Sequence, residues 1–196
     1  MKITSFAVIA LLLISFTSNS QTTKTKSLYA KQKTIEIGGD LFFSSTQYTR
    51  EYSMSTSSSD YTVRDYVINV SAGMFVINGL KLAVEPAFEV MSYENSSSSE
   101  LKLYLTPEYV FDMNSEVYPF IGGSVGYTSL SSGSAKNGFS WGVKGGIKIN
   151  PLGNVLINVG ISYYQETYNY TDGYVGDVTQ HNNVLGLKGG MSLFFR

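Results

Sequence analysis

The sequence predicts an all-β fold, an eight-stranded antiparallel up-and-down transmembrane β-barrel. Three observations carry that expectation. Segments of roughly ten to fifteen residues alternate apolar with polar or small side chains, the period-two signature of strands whose two faces meet different surroundings. The links between these segments alternate between a tight turn and a longer polar stretch. Charged residues make up 15% of the chain and cysteine is absent, so a heavily charged aqueous surface and a disulfide framework are both excluded.

The chain begins with Lys2, an apolar run over residues 6–16 and "TSNS" before Gln21. That layout is the one a secretory signal peptide has, and the run is too short to span a bilayer as a helix. Residues 1–20 are therefore expected to be the signal peptide, 21–33 a short N-terminal periplasmic segment, and 34–196 the barrel. With Lys and Arg at 14 against Asp and Glu at 15, no basic surface for nucleic acid is implied.

Eight strands are expected to start near Thr34, Asp65, Leu80, Glu100, Val117, Gly138, Asn154 and Asn183. The first places Glu36, Asp40 and Phe42 on one face and Phe43 on the other. The second carries Phe75 and runs into Asn78-Gly79, a dipeptide suited to a two-residue hairpin. In the third, Leu82, Val84, Pro86, Phe88 and Val90 oppose Lys81, Ala83, Glu85, Ala87 and Glu89. In the fourth, Leu101, Leu103, Leu105, Tyr109 and Phe111 oppose Lys102, Tyr104, Thr106 and Glu108. A tight turn near residues 113–116 leads into the fifth, "YPFIGGSVGY" at residues 118–127. The sixth sets Phe139, Trp141, Val143, Ile147 and Ile149 against Ser140, Gly142, Lys144, Gly146, Lys148 and Asn150. After the turn at residues 151–153, the seventh sets Val155, Ile157, Val159, Ile161 and Tyr163 against Asn158, Gly160, Ser162, Tyr164 and Glu166. The eighth, ending "GLKGGMSLFFR", sets Leu187, Met191, Leu193 and Phe195 against Gly186, Lys188, Gly190 and Ser192. Longer polar links are expected at residues 49–64, 93–99, 131–137 and 169–182. Short turns at one end with long loops at the other match a bacterial outer-membrane barrel, whose closure leaves no unpaired edge.

Periodicity alone does not say which face is outside. An eight-stranded interior has little room, so the large apolar side chains are assigned to lipid, and the glycines, serines and isolated charges to the lumen. Glycine makes space where opposite walls nearly meet. Glu36, Asp40, Glu85, Glu89, Glu108 and Glu166 are expected to balance Lys81, Lys102, Lys144, Lys148, Lys188 and Arg196 in a structural network, since enclosed charges must be paired. Lys188 is assigned Glu36 or Asp40 as its partner. Phe42, Phe75, Tyr104, Phe120 and Tyr164 would help plug the lumen. An aromatic girdle is expected from Phe43, Phe88, Tyr127, Phe139, Trp141 and Tyr163 toward the long-loop end, and from Tyr109, Phe111 and Phe195 toward the short-turn end.

With its signal peptide, eight amphipathic strands, the "YPFIGGSVGY" strand and the final "MSLFFR", the chain resembles the small outer-membrane β-barrels of the OmpA/OmpX type over residues 34–196. In that family the last strand carries a terminal aromatic read by the barrel-assembly machinery. Here Phe195 is penultimate and Arg196 is last. The resemblance implies a monomer in outer-membrane lipid, inserted by that machinery, without a cofactor or metal. It leaves the role open, since members include adhesins, structural anchors and lipid-modifying enzymes.

The residues support a non-enzymatic barrel whose four loops serve envelope integrity or surface interaction. Tyr52, Tyr61 and Tyr93, beside serine runs at residues 57–59 and 96–99, and Tyr170 and Tyr174 in the last long link would stack on the barrel rim or else form a surface for an extracellular partner. Three alternatives stand beside this reading: a barrel enzyme acting on lipid, a secreted lipocalin-like carrier, and a narrow channel. An enzyme would rest on His181, the lone histidine, with Asp172 and Asp177 nearby, but no spacing marks a triad. The stretch "TDGYVGD" lacks the ligand spacing of a calcium loop.

Overall fold

In the computed structural model the described residues are 29–52, 58–93, 96–113, 115–132, 134–172 and 176–196. The signal peptide expected at 1–20 lies outside them, as do residues 21–28, Ser57 and Tyr174. Eight strands form: β1 (Ile35–Tyr52), β2 (Ser58–Ile77), β3 (Leu80–Tyr93), β4 (Ser96–Val110), β5 (Val117–Ser132), β6 (Ser134–Leu152), β7 (Val155–Asp172) and β8 (Gly176–Phe195). Each pairs antiparallel with its neighbour in the chain, and β1 pairs antiparallel with β8 from Ile35↔Phe195 to Tyr52↔Val178. The sheet is therefore a closed barrel in sequence order. Closure gives every strand two hydrogen-bonding neighbours and abolishes the edges that an open sheet would expose.

At the short-turn end, backbone chemistry fixes the corners. Gly79 between β2 and β3 adopts φ +84°, and Gly153 between β6 and β7 adopts φ +57°, both left-handed conformations that glycine enters without steric cost. Asn150 donates from Nδ2 to the Gly153 carbonyl at 3.1 Å. Register shifts between Phe75 and Ile77 and between Ile149 and Leu152 mark irregularities where those strands enter their turns.

At the other end the strands run further than the polar composition suggests. β2 starts at Ser58 rather than near Asp65, β4 at Ser96 rather than Glu100, β6 at Ser134 rather than Gly138, and β8 at Gly176 rather than Asn183. The links expected at 49–64, 93–99, 131–137 and 169–182 are mostly ladder, with pairs such as Thr49↔Asp60 and Thr171↔Asp177. Once two antiparallel strands are in register, Tyr, Thr and Val prolong the pairing even where the sequence around them is polar enough to resemble loop.

Alternation sorts the side chains cleanly. Ile37, Leu41, Phe43, Ile68, Leu103, Val143, Val159 and Leu187 are exposed on the outer wall, while Phe42, Phe75, Tyr104, Phe120 and Tyr164 are buried inside. The interior is a stack of aromatic and charged layers. Near the short turns Tyr29, Phe75, Val110, Tyr118, Phe120, Leu156 and Phe194 cluster; higher up are Phe42, Val67, Ala87, Tyr104, Tyr164 and Val184. Lumenal glycine is what lets the rings fit: a Cβ on Gly142 would meet the Tyr164 ring at 2.4 Å, and one on Gly186 the Phe42 ring at 2.6 Å.

Candidate functional site: the charged lumen

Eleven charged residues expected in the lumen all point into it, and strand parity places each one: even positions on β1, β4, β6, β7 and β8, odd positions on β3. Two layers result. In the lower layer Glu36 accepts from Lys148 at 2.7 Å, Lys81 at 2.9 Å and the Ser192 hydroxyl at 3.1 Å. Glu108 faces Lys81 and Lys148, each at 2.8 Å, and Lys144 at 3.3 Å. Lys144 donates to Glu85 at 2.5 Å. Lys188 joins this layer through Asp40 at 2.8 Å and approaches Glu85 at 3.9 Å. Of the two partners expected for Lys188, the structure brings it to Asp40, and Glu36 is held by the β3 and β6 lysines instead.

The upper layer has a different stoichiometry. Lys102 alone serves Glu166 at 2.6 Å, Glu89 at 2.9 Å and Glu100 at 3.4 Å. Tyr168 donates to Glu100, and its hydroxyl also lies 3.3 Å from Glu166. Glu100, 2% exposed, was missing from the expected network because it stands where β4 was thought to begin; its even number, shared with Lys102 and Glu108, was the available signal. Arg196 is the converse case. It follows the end of β8 and is exposed, because the alternation that would send it inward stops at Phe195.

A second element missed from the sequence closes the short-turn end. Residues 29–34 fold into the mouth beneath the lower layer, with Tyr29 at 0% and Ala30 at 1% exposure. The Tyr29 hydroxyl donates to Glu36 at 2.5 Å. Burial, and then the Glu36 carboxylate, hold this phenol well above its ordinary range, so it stays a donor. An isolated tyrosine before the first strand carries no periodic signal that would mark it.

Two small cavities lie within these layers. A cavity of ≈ 30 Å³ lies among Glu89, Lys102, Tyr104, Tyr164 and Lys188, and one of ≈ 20 Å³ among Glu36, Lys81, Glu108 and Lys148. Each is water-sized, whereas a small-molecule pocket needs roughly 300 Å³ or more.

No family model matches the sequence, and no curated protein matches it. Its structure does match solved barrels along nearly their whole length. Neisserial surface protein A aligns with TM-score 0.56 at 20% identity, covering 81% of this chain and 96% of that one. The outer membrane protein OprG from Pseudomonas aeruginosa aligns with TM-score 0.57 at 13% identity, covering 85% and 97%. The outer membrane protein AlkL, solved in DMPC lipid bilayers, aligns with TM-score 0.55 at 15% identity, covering 91% and 97%. This chain has the fold of the small eight-stranded outer-membrane barrels. At these identities the likeness is one of fold.

In that barrel, the aromatic residues singled out on the outer wall all lie outside the lumen. Phe43, Phe88, Tyr109, Phe111, Tyr127, Phe139, Trp141 and Phe195 are exposed and Tyr163 is half-buried. Tyr109 and Phe111 pack edge to face at 5.0 Å beside the short turns, and Trp141 and Tyr163 at 6.2 Å further up. Trp141 donates to Gln165 at 3.0 Å, and Tyr163 to Asn183 at 2.9 Å, so each ring has an apolar body and a satisfied polar tip. Among the residues whose side chains are described, the Nδ1 of His181 lies 3.1 Å from the Thr167 hydroxyl. Among those residues no three acidic or histidine side chains are grouped to hold a metal ion.

Proposed function

We propose that this chain is an integral outer-membrane barrel, exported through the periplasm, whose filled lumen is structural and whose long-loop end serves envelope integrity or contact with an extracellular partner. The observation that carries the reading is the outer wall. Among the described residues thirty-one large hydrophobic side chains are exposed, with Leu187 at 63%, Ile68 at 61% and Ile121 at 59%. Scattered exposed apolar residues are ordinary in water, but a continuous apolar surface of this extent is not. It suits hydrocarbon, with the aromatic residues at the two interfaces and the ion pairs shielded inside. Lipid is thus the chain's first partner, and the barrel-assembly machinery its partner during insertion, with Phe195 exposed on the last strand as the aromatic that machinery would read. The chain acts as a monomer in this reading, because the closed sheet offers no free edge to a second copy.

The non-enzymatic reading is supported by the spacing around His181, which marks no triad with Asp172 or Asp177, and by the Thr167 hydroxyl 3.1 Å from its Nδ1. The soluble-carrier reading is disfavoured by the interior, which is lined with ion pairs and whose two cavities described above are water-sized. Fractionation with gel samples loaded unheated and boiled tests the proposal. The expected result is a band in the outer-membrane fraction that migrates as a compact species until boiled. Recovery of the protein in the soluble fraction, with one mobility in both lanes, would defeat it.

A further inference from the structure

The mouth of the barrel at the short-turn end is stopped by the chain's own N-terminal segment, which precedes β1 and belongs to no ladder. The Tyr29 ring stands edge-on to Phe75 at 5.2 Å and Tyr118 at 5.0 Å between centroids, and tilts on Phe194 at 5.2 Å. Backbone bonds hold the segment to the rim: the Gly79 N–H donates to the Ala30 carbonyl at 2.9 Å, and the Lys33 N–H to the Phe75 carbonyl at 2.8 Å.

We propose that residues 29–34 are a withdrawable plug, and that withdrawal of Tyr29 opens the short-turn mouth of the lumen to small inorganic cations. Glu36 does not depend on the tyrosine. When the phenol leaves, Lys148 at 2.7 Å, Lys81 at 2.9 Å and the Ser192 hydroxyl at 3.1 Å remain on that carboxylate, so no buried charge is orphaned. The root of the plug is already strained, since Lys33 takes φ +70°, a left-handed conformation that residues other than glycine adopt rarely. Above the plug, the two water-sized cavities share Lys188 in their walls. One lies in the layer that Tyr29 covers and the other in the layer around Lys102. The sign of the ion follows from the lumen's balance: among the described residues seven buried carboxylates stand against five lysines. A net negative, low-dielectric interior concentrates cations and repels anions.

The chain has no cysteine, so single cysteines can be labelled without background. In detergent, Ala30→Cys should react with a bulky water-soluble maleimide at least about tenfold more slowly than Gln32→Cys, an exposed position on the same segment, because only local opening uncovers it. Equal rates would overturn the plug. Adding Tyr29→Ala to Ala30→Cys should bring its rate up to that of Gln32→Cys; an unchanged slow rate would show that Tyr29 does not hold the segment. In planar bilayers, Tyr29→Ala protein with parental mobility on an unheated gel should conduct more than the parent and pass potassium in preference to chloride. Parental conductance, or a preference for chloride, overturns the opening. Only the conductance arm rests on the membrane reading. If the parent itself fails to insert, that reading falls, and the labelling rates still decide the plug.

Discussion

Glu108 is the residue on which the lower ion-pair layer converges, with Lys81, Lys148 and Lys144 all within 3.3 Å of its carboxylate. Lys81 and Lys148 keep Glu36, and Lys144 keeps Glu85, when Glu108 is removed, but the layer then carries an uncompensated positive charge in a buried interior. Glu108→Ala should therefore cost about 3–5 kcal/mol, the range for breaking a buried pair by deleting one partner. Urea unfolding in micelles, followed by loss of the compact gel band, measures it; a cost under about 1 kcal/mol would mean that water reaches these lysines. The position of such residues was legible from numbering alone, because period two sends Lys81 and Glu85 to one side of β3 and Glu108 to the same side of β4. Their pairing was not legible. Which lysine reaches Glu36 depends on the stagger of strands across the lumen, and Lys148 lies 112 positions away in the chain. Glu100 and Arg196 show the limit from the other side: parity places a residue only when the end of its strand is known.

At the scale of the strand, the turns at the short end were readable because Asn78-Gly79 and the Pro151 to Gly153 stretch carry specific backbone requirements. The far ends were not, because Ser, Thr and Tyr serve equally in a loop or in an exposed ladder, and only the partner strand decides. Gly142 in β6 and Gly189 in β8 illustrate what a strand's two faces demand. Gly142 faces inward, where a Cβ would lie 2.4 Å from the Tyr164 ring and 2.5 Å from the Tyr163 carbonyl oxygen. Gly189 faces outward, and a Cβ there meets nothing within 4 Å. Glycine also weakens a strand by roughly 0.5–1 kcal/mol relative to alanine through its backbone freedom. The two substitutions should thus differ in sign. Gly142→Ala forces the Tyr164 ring or the β7 backbone to move and should lose about 1–3 kcal/mol, while Gly189→Ala should be neutral or gain a few tenths. Parallel denaturant titrations in one micelle system compare them, and an equal loss at both sites would show that Gly189 is needed for local twist rather than tolerated.

For the molecule as a whole, the decisive contact is the one between the first and last strands, residues 156 positions apart in the Ser192–Glu36 bond. Amphipathic segments can be counted in a sequence, but their closure is a property of all eight together: each strand contributes twist and tilt, and the eighth must arrive beside the first in register. β8 supplies the ladder to both β1 and β7, the Lys188 ammonium to Asp40, and Phe194 to the aromatic cluster at the mouth. Removing it would leave two bare edges, each a row of unpaired N–H and C=O groups facing lipid, where every unsatisfied group costs several kcal/mol. Shortening by one hairpin is no remedy, because six strands would enclose too little space for Tyr104, Tyr164 and the five lysines. A chain lacking Gly176–Phe195 is therefore expected to give no compact, heat-modifiable band in micelles or vesicles, although its remaining seven strands keep their alternation. The full chain and the truncated one, refolded side by side from urea into the same micelles, make the comparison. A compact band from the truncated chain would mean that individual hairpins, rather than closure of the barrel, hold the fold in lipid.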